Sequence, residues 1–141
     1  MKVLLDTNLY LDAVRSGVAK ERFRKDFLPL LPFTVLSSVV AYELRVDARD
    51  EHTRDLLAQY VAPMERAGRT ISPTFTDWTE AANIVTSIET RDRQWSSKLP
   101  SLLNDILIAL CARRVGATVF TRNRSDFQLI CRQKHFALRV V

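Results

Sequence analysis

Asp105 stands in the run Leu102-Leu103-Asn104-Asp105-Ile106-Leu107-Ile108-Ala109, with Leu102 three residues before it, Ile108 three after and Ala109 four after. At helical spacing it therefore projects from an apolar face. A carboxylate buried there without a partner takes up a proton or costs several kcal/mol, and a metal ion or a buried cation is the usual compensation. Glu43 has the same character, since Val39, Val40 and Val46 fall on its stripe. For Glu43 a salt bridge to Arg45 or Arg49 is the ordinary alternative. Asp6 closes the apolar start of Leu4-Leu5-Asp6-Thr7-Asn8, and Asp126 comes late in Thr121-Arg122-Asn123-Arg124-Ser125-Asp126-Phe127. Both also fit helix starts: Asp6 as an N-cap, and Asp126 as a first-turn acid, with Ser125 and Gln128 spaced as a capping box.

Three or four carboxylates without His or Cys form the ligand set of a hard cation, Mg2+ or Mn2+, rather than of zinc. The two histidines, His52 and His135, lie far apart, and Cys111 and Cys131 lack Cys-x-x-Cys spacing and read as buried small hydrophobes. The whole chain is basic, at +5, and 16 of its 21 cations are Arg. Setting the four acids aside leaves 21 cations against 12 acids, or +9. An acidic pocket in a basic protein suits a metal-dependent enzyme acting on a polyanion: cations hold the backbone, while metal screens the acids from its phosphates.

The elements that must position these acids follow from apolar periodicity. Lys2 to Leu5 reads as a buried strand and Thr7 to Arg15 as a helix; Glu21 to Leu31 as a helix stopped by Pro32; Phe33 to Ser37 as a strand, its serines capping a helix Val39 to Ala48. A long helix, Asp50 to Ala67, ends at Gly68. Arg69 to Ser72 is a third strand, and Pro73 with Thr74 or Thr76 opens a helix to about Thr90, with Trp78, Ala81, Ala82, Val85 and Ile88 in period. After the polar break Arg91 to Pro100, Ser101 to Val115 is apolar nearly all round and must be buried. Gly116 ends it; Ala117 to Thr121, Ser125 to Lys134 and Phe136 to Val141 read as strand, helix and strand.

This alternation predicts an α/β fold, one domain over 1–141 with a central parallel sheet of four to five strands and helices on both faces. Asp6 and Asp126 then follow different strands of one parallel sheet and share the edge where such sheets bind ligands. With 141 residues and 47% apolar content the chain can bury a core unaided. It has no membrane span, and an acid after three apolar residues at the start speaks against a signal peptide, so the expected location is the cytoplasm.

Leu4-Leu5-Asp6-Thr7-Asn8, the Glu of Ala41-Tyr42-Glu43-Leu44, Asp105-Ile106-Leu107-Ile108-Ala109 and Thr121 to Phe127 together resemble the PIN-domain nucleases, in particular the VapC toxins of bacterial toxin-antitoxin pairs. The resemblance covers nearly the whole chain. It implies a Mg2+-dependent endoribonuclease, with Mn2+ as a substitute, in which Asp6, Glu43 and Asp105 hold metal. The fourth carboxylate of such proteins stands at the position of Asn123 or at that of Asp126; here the first is Asn, and both are candidates to complete the site. Thr7 and Thr121 match hydroxyls that orient the acids or bound water, and Asn8 accompanies them. The resemblance further implies an RNA substrate, a VapB-like antitoxin and a homodimer. A PIN nuclease acting in RNA processing or on DNA is the alternative.

In chemical terms, metal held by Asp6 and Asp105 polarises a phosphodiester and lowers the pKa of a bound water, while Glu43 and Asp126 or Asn123 orient that water or hold a second ion. Arg91, Arg93, Trp95 and Lys98 combine charge with an aromatic, as contacts to single-stranded RNA do, and Arg122 and Arg124 add cations near the acids. The apolar Phe27 to Phe33 is a candidate partner surface. A haloacid-dehalogenase-like phosphatase needs a second acid where Asn8 stands, and a phosphoacceptor receiver needs an Asp near Ile71-Ser72-Pro73, which has none. A non-catalytic nucleic-acid-binding module leaves Asp105 without a reason.

Overall fold

The computed structural model describes residues 1–141. Five parallel strands alternate with helices: β1 (Val3–Leu5), β2 (Leu36–Ser37), β3 (Thr70–Ile71), β4 (Thr118–Thr121) and β5 (Leu138–Val140). In space β4 lies between β1 and β5, with Val3 opposite Thr118 and Val119 opposite Leu138. On the other side β2 pairs β3, and a single bridge from Val3 to Thr34, with Val35 N donating to Val3 O at 2.8 Å, joins the two groups. The order is thus β3-β2-β1-β4-β5, but the ladder narrows to one bridge between β2 and β1. Only Leu36 and Ser37 form β2, because Ser37 already caps the next helix with its hydroxyl accepting from Val39 N at 3.1 Å. Arg69 supports this narrow join by donating to the carbonyls of Leu31 and Thr34.

The helices are α1 (Thr7–Leu11), α2 (Val18–Arg22), α3 (Ser38–Asp47), α4 (Glu51–Leu56), α5 (Ala62–Arg66), α6 (Phe75–Arg91), α7 (Leu99–Val115) and α8 (Arg124–Gln133). A 3₁₀ turn, Asp12–Val14, extends α1. Two helices expected to run unbroken change pitch instead. The Asp50 to Ala67 segment widens into a π turn at Leu57–Val61, and α2 does so at Phe23–Phe27 before tightening to 3₁₀ geometry over Leu28–Phe33. Each π turn ends two residues before a proline, Pro29 or Pro63. Proline has no N–H to donate and its ring collides with the carbonyl four residues back, so the preceding turn opens to a five-residue repeat. Phe27 is buried and Leu28, Leu30 and Leu31 pack on the core, which leaves Phe33 half exposed.

Of the two threonines offered for the start of α6, Thr74 is the cap, through a capping box in which Asp77 N donates to Thr74 Oγ1 and Thr74 N to Asp77 Oδ2. The start of α8 differs from the sequence expectation. Asn123, not Ser125, caps α8, its Oδ1 accepting from Asp126 N at 3.3 Å. Trp78 and Val46, counted on apolar stripes, stand about half exposed.

A connected core of 33 buried apolar residues surrounds β1, β4 and α7. The middle of α7 is buried throughout, from Asp105 to Ala112. Cys111 lies inside it with its thiol pushed up to about 11, by burial and then by Asp77, so it is inert, while Cys131 is only half buried. No helix is long and apolar enough to cross a membrane.

Gly116 ends α7 in the left-handed region at φ +69°, and a Cβ there would meet nothing within 4 Å. Gly116→Ala therefore isolates the backbone cost: the denaturant midpoint should fall by the equivalent of about 1 kcal/mol with no change in slope.

Candidate metal-dependent active site

The strand order reverses between β1 and β4, since the chain builds outward from β1 to β2 and β3, then returns to add β4 and β5 on the other side. Two neighbouring strands there lead away in opposite directions and leave a crevice at their carboxyl ends. Asp6 directly follows β1, and Thr121 ends β4.

Asp6 is 4% exposed and uses both oxygens. Oδ1 accepts from Thr7 N at 2.8 Å, capping α1, and Oδ2 accepts from the Thr121 hydroxyl at 2.7 Å. Thr7 turns its own hydroxyl to Glu43 Oε1, 2.7 Å away on α3. Glu43 is half buried, and its Oε2 accepts from Asn104 Nδ2 at 3.4 Å. The expected alternative for Glu43, an ion pair with Arg45, does not form: Arg45 pairs with Glu65 at 2.6 Å.

Asp105 projects from the buried middle of α7, and its one near neighbour of opposite polarity is Asn123 Nδ2 at 3.4 Å. The same NH2 donates to Asp126 Oδ2 at 2.9 Å, and Asn123 N donates to Thr121 Oγ1 at 2.9 Å. Asn123 thus faces the acids with its amide nitrogen, while its amide oxygen caps α8. Asp126 is buried, with Ser125 Oγ at 3.4 Å from its Oδ1. Asp6, Thr7, Glu43, Asp105, Thr121, Asn123 and Asp126 therefore meet in one hydrogen-bonded cluster built from β1, β4, α3, α7 and α8.

Burial pushes the Asp105 carboxyl up to about 8, and the charges of Asp6, Asp126 and Glu43 push it the same way. Burial also raises Asp6, against the opposing pull of the Thr121 and Thr7 hydrogen bonds and of Arg122. Other buried acids are neutralised by arginine: Asp77 by Arg114 at 3.0 Å and Asp12 by Arg122 at 2.8 Å. None of the four site acids makes an ion pair. No three acid, His or Cys side chains are close enough together to form a ligand cage as they stand. Buried hard oxygens with repelling charge and no cationic side chain are a donor set that fits a divalent cation such as Mg2+.

The remaining sequence candidates lie outside this cluster. Asn8 is exposed, and only its carbonyl is used, accepting from Arg122 Nη2 at 3.2 Å. Arg122 is not free for a ligand, since its guanidinium turns inward to Asp12. Arg124, Arg91 and Arg93 are exposed. Trp95 packs against the core, with Lys98 Nζ 5.4 Å from its ring centre, in a 3₁₀ segment (Arg93–Lys98) that leads into α7. Lys98 to Asp105 is seven residues, or roughly 10 Å along the helix axis. Two residues of the site neighbourhood escaped the sequence reading. Asn104 adjoins Asp105 in the same apolar helix, and Asp12 sits in Leu9-Tyr10-Leu11-Asp12-Ala13-Val14, the signal that singled out Asp105.

An α/β domain whose reversal point gathers four acids is thus the class that fold and site define. Neither protein-family models nor the curated proteins give a match to this chain. Solved structures do. The chain is similar to VapBC2 from Rickettsia felis bound to a DNA fragment from its promoter, at 19% identity and a TM-score of 0.65 over 100% of this chain and 99% of that one. It is similar to FitAcB from Neisseria gonorrhoeae, at 24% identity and 0.70 over 96% and 95%, and to DNA-bound VapBC from Salmonella typhimurium, at 18% and 0.66 over 99% and 98%. At these identities the likeness is one of fold, and the fold of this chain is that of a PIN-like α/β domain.

Asp105 sets the pH response of the metal-free protein. Its folded-state value of about 8 exceeds the ordinary 3.8, so the folded chain keeps a proton that the unfolded chain releases. Stability should fall as pH rises from about 4 to 8, at most by roughly 1.4 kcal/mol per pH unit for this group. In EDTA, Asp105→Asn should flatten that slope and melt above wild type at pH 8. A variant that melts well below wild type there would make Asp105 a structural ion-pair partner instead.

Proposed function

We propose that this chain is a metal-dependent endoribonuclease and the toxin of a VapBC-type toxin-antitoxin pair, working in the cytoplasm. The observation that carries the catalytic reading is Asp105: a buried carboxylate beside three other acids, with no cationic side chain to neutralise it. The toxin reading is supported by the likeness of the fold to chains of VapBC and FitAB complexes.

Asp6, Asp105 and Asp126 would hold Mg2+ or Mn2+, with Glu43 at the margin. When bound, the ion supplies Lewis acidity toward a phosphate oxygen and acidifies a water for in-line hydrolysis. Thr121 holds Asp6 Oδ2 by its hydroxyl, so that carboxylate presents a fixed face. Half-buried Glu43, oriented by Thr7 and Asn104, is placed to accept a proton from an incoming water. Asn123 keeps Asp105 and Asp126 side by side through one NH2 and so offsets part of their repulsion. The exposed Arg91, Arg93 and Arg124, and Lys98 beside Trp95, would attract the RNA backbone and stack a base. A VapB-like antitoxin restrains the enzyme, and the working unit is a homodimer.

Purified protein should cleave single-stranded RNA with Mg2+ or Mn2+ and fall silent in EDTA; cleavage that survives the chelator refutes the metal mechanism. Asp6→Ala and Asp105→Asn should each abolish it. Expressed alone, wild type should arrest growth, Asp6→Ala should not, and co-expression with a VapB-like antitoxin encoded beside it should relieve the arrest and give a co-purifying complex. Wild type that cleaves RNA in vitro yet accumulates harmlessly in cells would make it a processing enzyme rather than a toxin.

A further inference from the structure

Asp12 is wholly buried, and its charge is met by two arginines on one oxygen: Arg122 Nη2 at 2.8 Å and Arg15 Nη1 at 3.3 Å, both on Oδ1. No side chain or backbone group of the protein reaches Oδ2. A buried ion pair gains little over apolar residues of the same volume once desolvation is counted, so stability is a poor account of it. Its connections give a better one. Arg122 lies between Thr121, which holds Asp6, and Asn123, which holds Asp105 and Asp126. The Nη2 that reaches Asp12 also donates to the carbonyl of Asn8, two residues beyond Asp6. Arg122 is therefore a strap from the turn after β4 to the first two turns after β1. Without it, the two sides of the crevice are tied here by Asp6 N to Phe120 O at 2.9 Å and by the Thr121–Asp6 hydrogen bond.

We infer that Asp12 and Arg122 are a positioning pair that fixes Asp6, at the end of β1, relative to Asn123 and Asp126, after β4, and so sets the spacing of the acidic site for a divalent cation. The contacts alone carry the positioning; its consequence for cleavage rests on the nuclease reading above. Both residues act through others, since neither belongs to the acid cluster. The guanidinium suits the role because its planar group aims the two N–H bonds of Nη2 in fixed directions, toward a carboxylate and a carbonyl, where a lysine would supply the charge without that geometry.

The test uses the full chain with Asp12→Asn, Arg122→Gln and Arg122→Lys, and begins without metal. Two amides report the site directly: Thr7 N–H on Asp6 Oδ1 and Asn123 N–H on Thr121 Oγ1. Hydrogen exchange at these two should speed up roughly tenfold in Asp12→Asn and Arg122→Gln while the amides of Val119 and Ile106 hold their protection, with partial recovery in Arg122→Lys. Loss by the same factor at the core amides, or no change at Thr7 and Asn123, overturns the inference. In the second arm, the Mg2+ concentration for half-maximal cleavage, and that for half of the Mg2+-induced rise in melting temperature, should each increase roughly tenfold with KM for RNA unchanged. A wild type with no cleavage and no Mg2+ response sinks the nuclease reading, and the exchange arm still decides the positioning. Should Asp12→Asn fail to fold, the Arg122 variants decide alone, since that side chain is partly at the surface, 26% exposed.

Discussion

Like charge held out of water with no side chain to neutralise it is the constraint around which the structure is organised. Asp6, Asp105 and Asp126 are buried and Glu43 stands beside them, and each negative charge makes the next harder to bear at the low dielectric of the crevice. A fold tolerates this only where other elements hold the carboxylates in place. Here the backbone pairing of β1 with β4 fixes two of the attachment points, and the core packed around α7 fixes a third. The neutral donors Thr7, Thr121, Asn104 and Asn123 then take up individual oxygens without cancelling charge. Orientation without neutralisation is the arrangement that the proposed divalent cation requires.

The contrast with the other buried acids makes the point sharper. Asp77 receives Arg114 through Nε and Nη2, and that arginine also reaches the carbonyl of Ser72, so the pair ties α7 to the start of α6. Asp12 receives Arg122 and Arg15. With 16 arginines in the chain, cations are not scarce. The site acids go unpaired because the residues surrounding them are short polar or apolar ones, and the nearest guanidinium, that of Arg122, turns away to Asp12.

Much of this was legible in the sequence for a simple physical reason: an acid in an apolar helical stretch has few ways to be stable, so Asp105 and Glu43 announce themselves. Strand and helix order follows from periodicity, and parallel strands place their carboxyl ends together, which puts Asp6 and Asp126 on one edge. Three features were not legible. Periodicity reads unbroken helices across Pro29 and Pro63, and the π turns before them are invisible to it, because a local change of pitch keeps the same apolar face packed. The cap of α8 fell to Asn123 rather than Ser125, since both residues have capping chemistry and only the course of the chain after β4 chooses between them. Arg122 reads from sequence as one more basic residue beside the acids, and its inward turn depends on Asp12, 110 positions earlier in the chain.

Asp12 and Asp105 show what local pattern can and cannot decide. Each is an acid inside an apolar run, and each is buried by the fold, so periodicity assigns them the same problem. The solutions differ because of where the chain returns. At Asp12 the turn after β4 brings a guanidinium within 2.8 Å, and the charge becomes part of the scaffold. At Asp105 the same turn brings the amide of Asn123 and another carboxylate, and no cationic side chain meets the carboxyl group, which holds its proton instead. A single turn, Thr121 to Asp126, thus supplies the cation to one buried acid and withholds it from the other. That division of one loop between a closed ion pair and an unpaired cluster of acids is how a basic chain keeps carboxyl groups together among its own arginines.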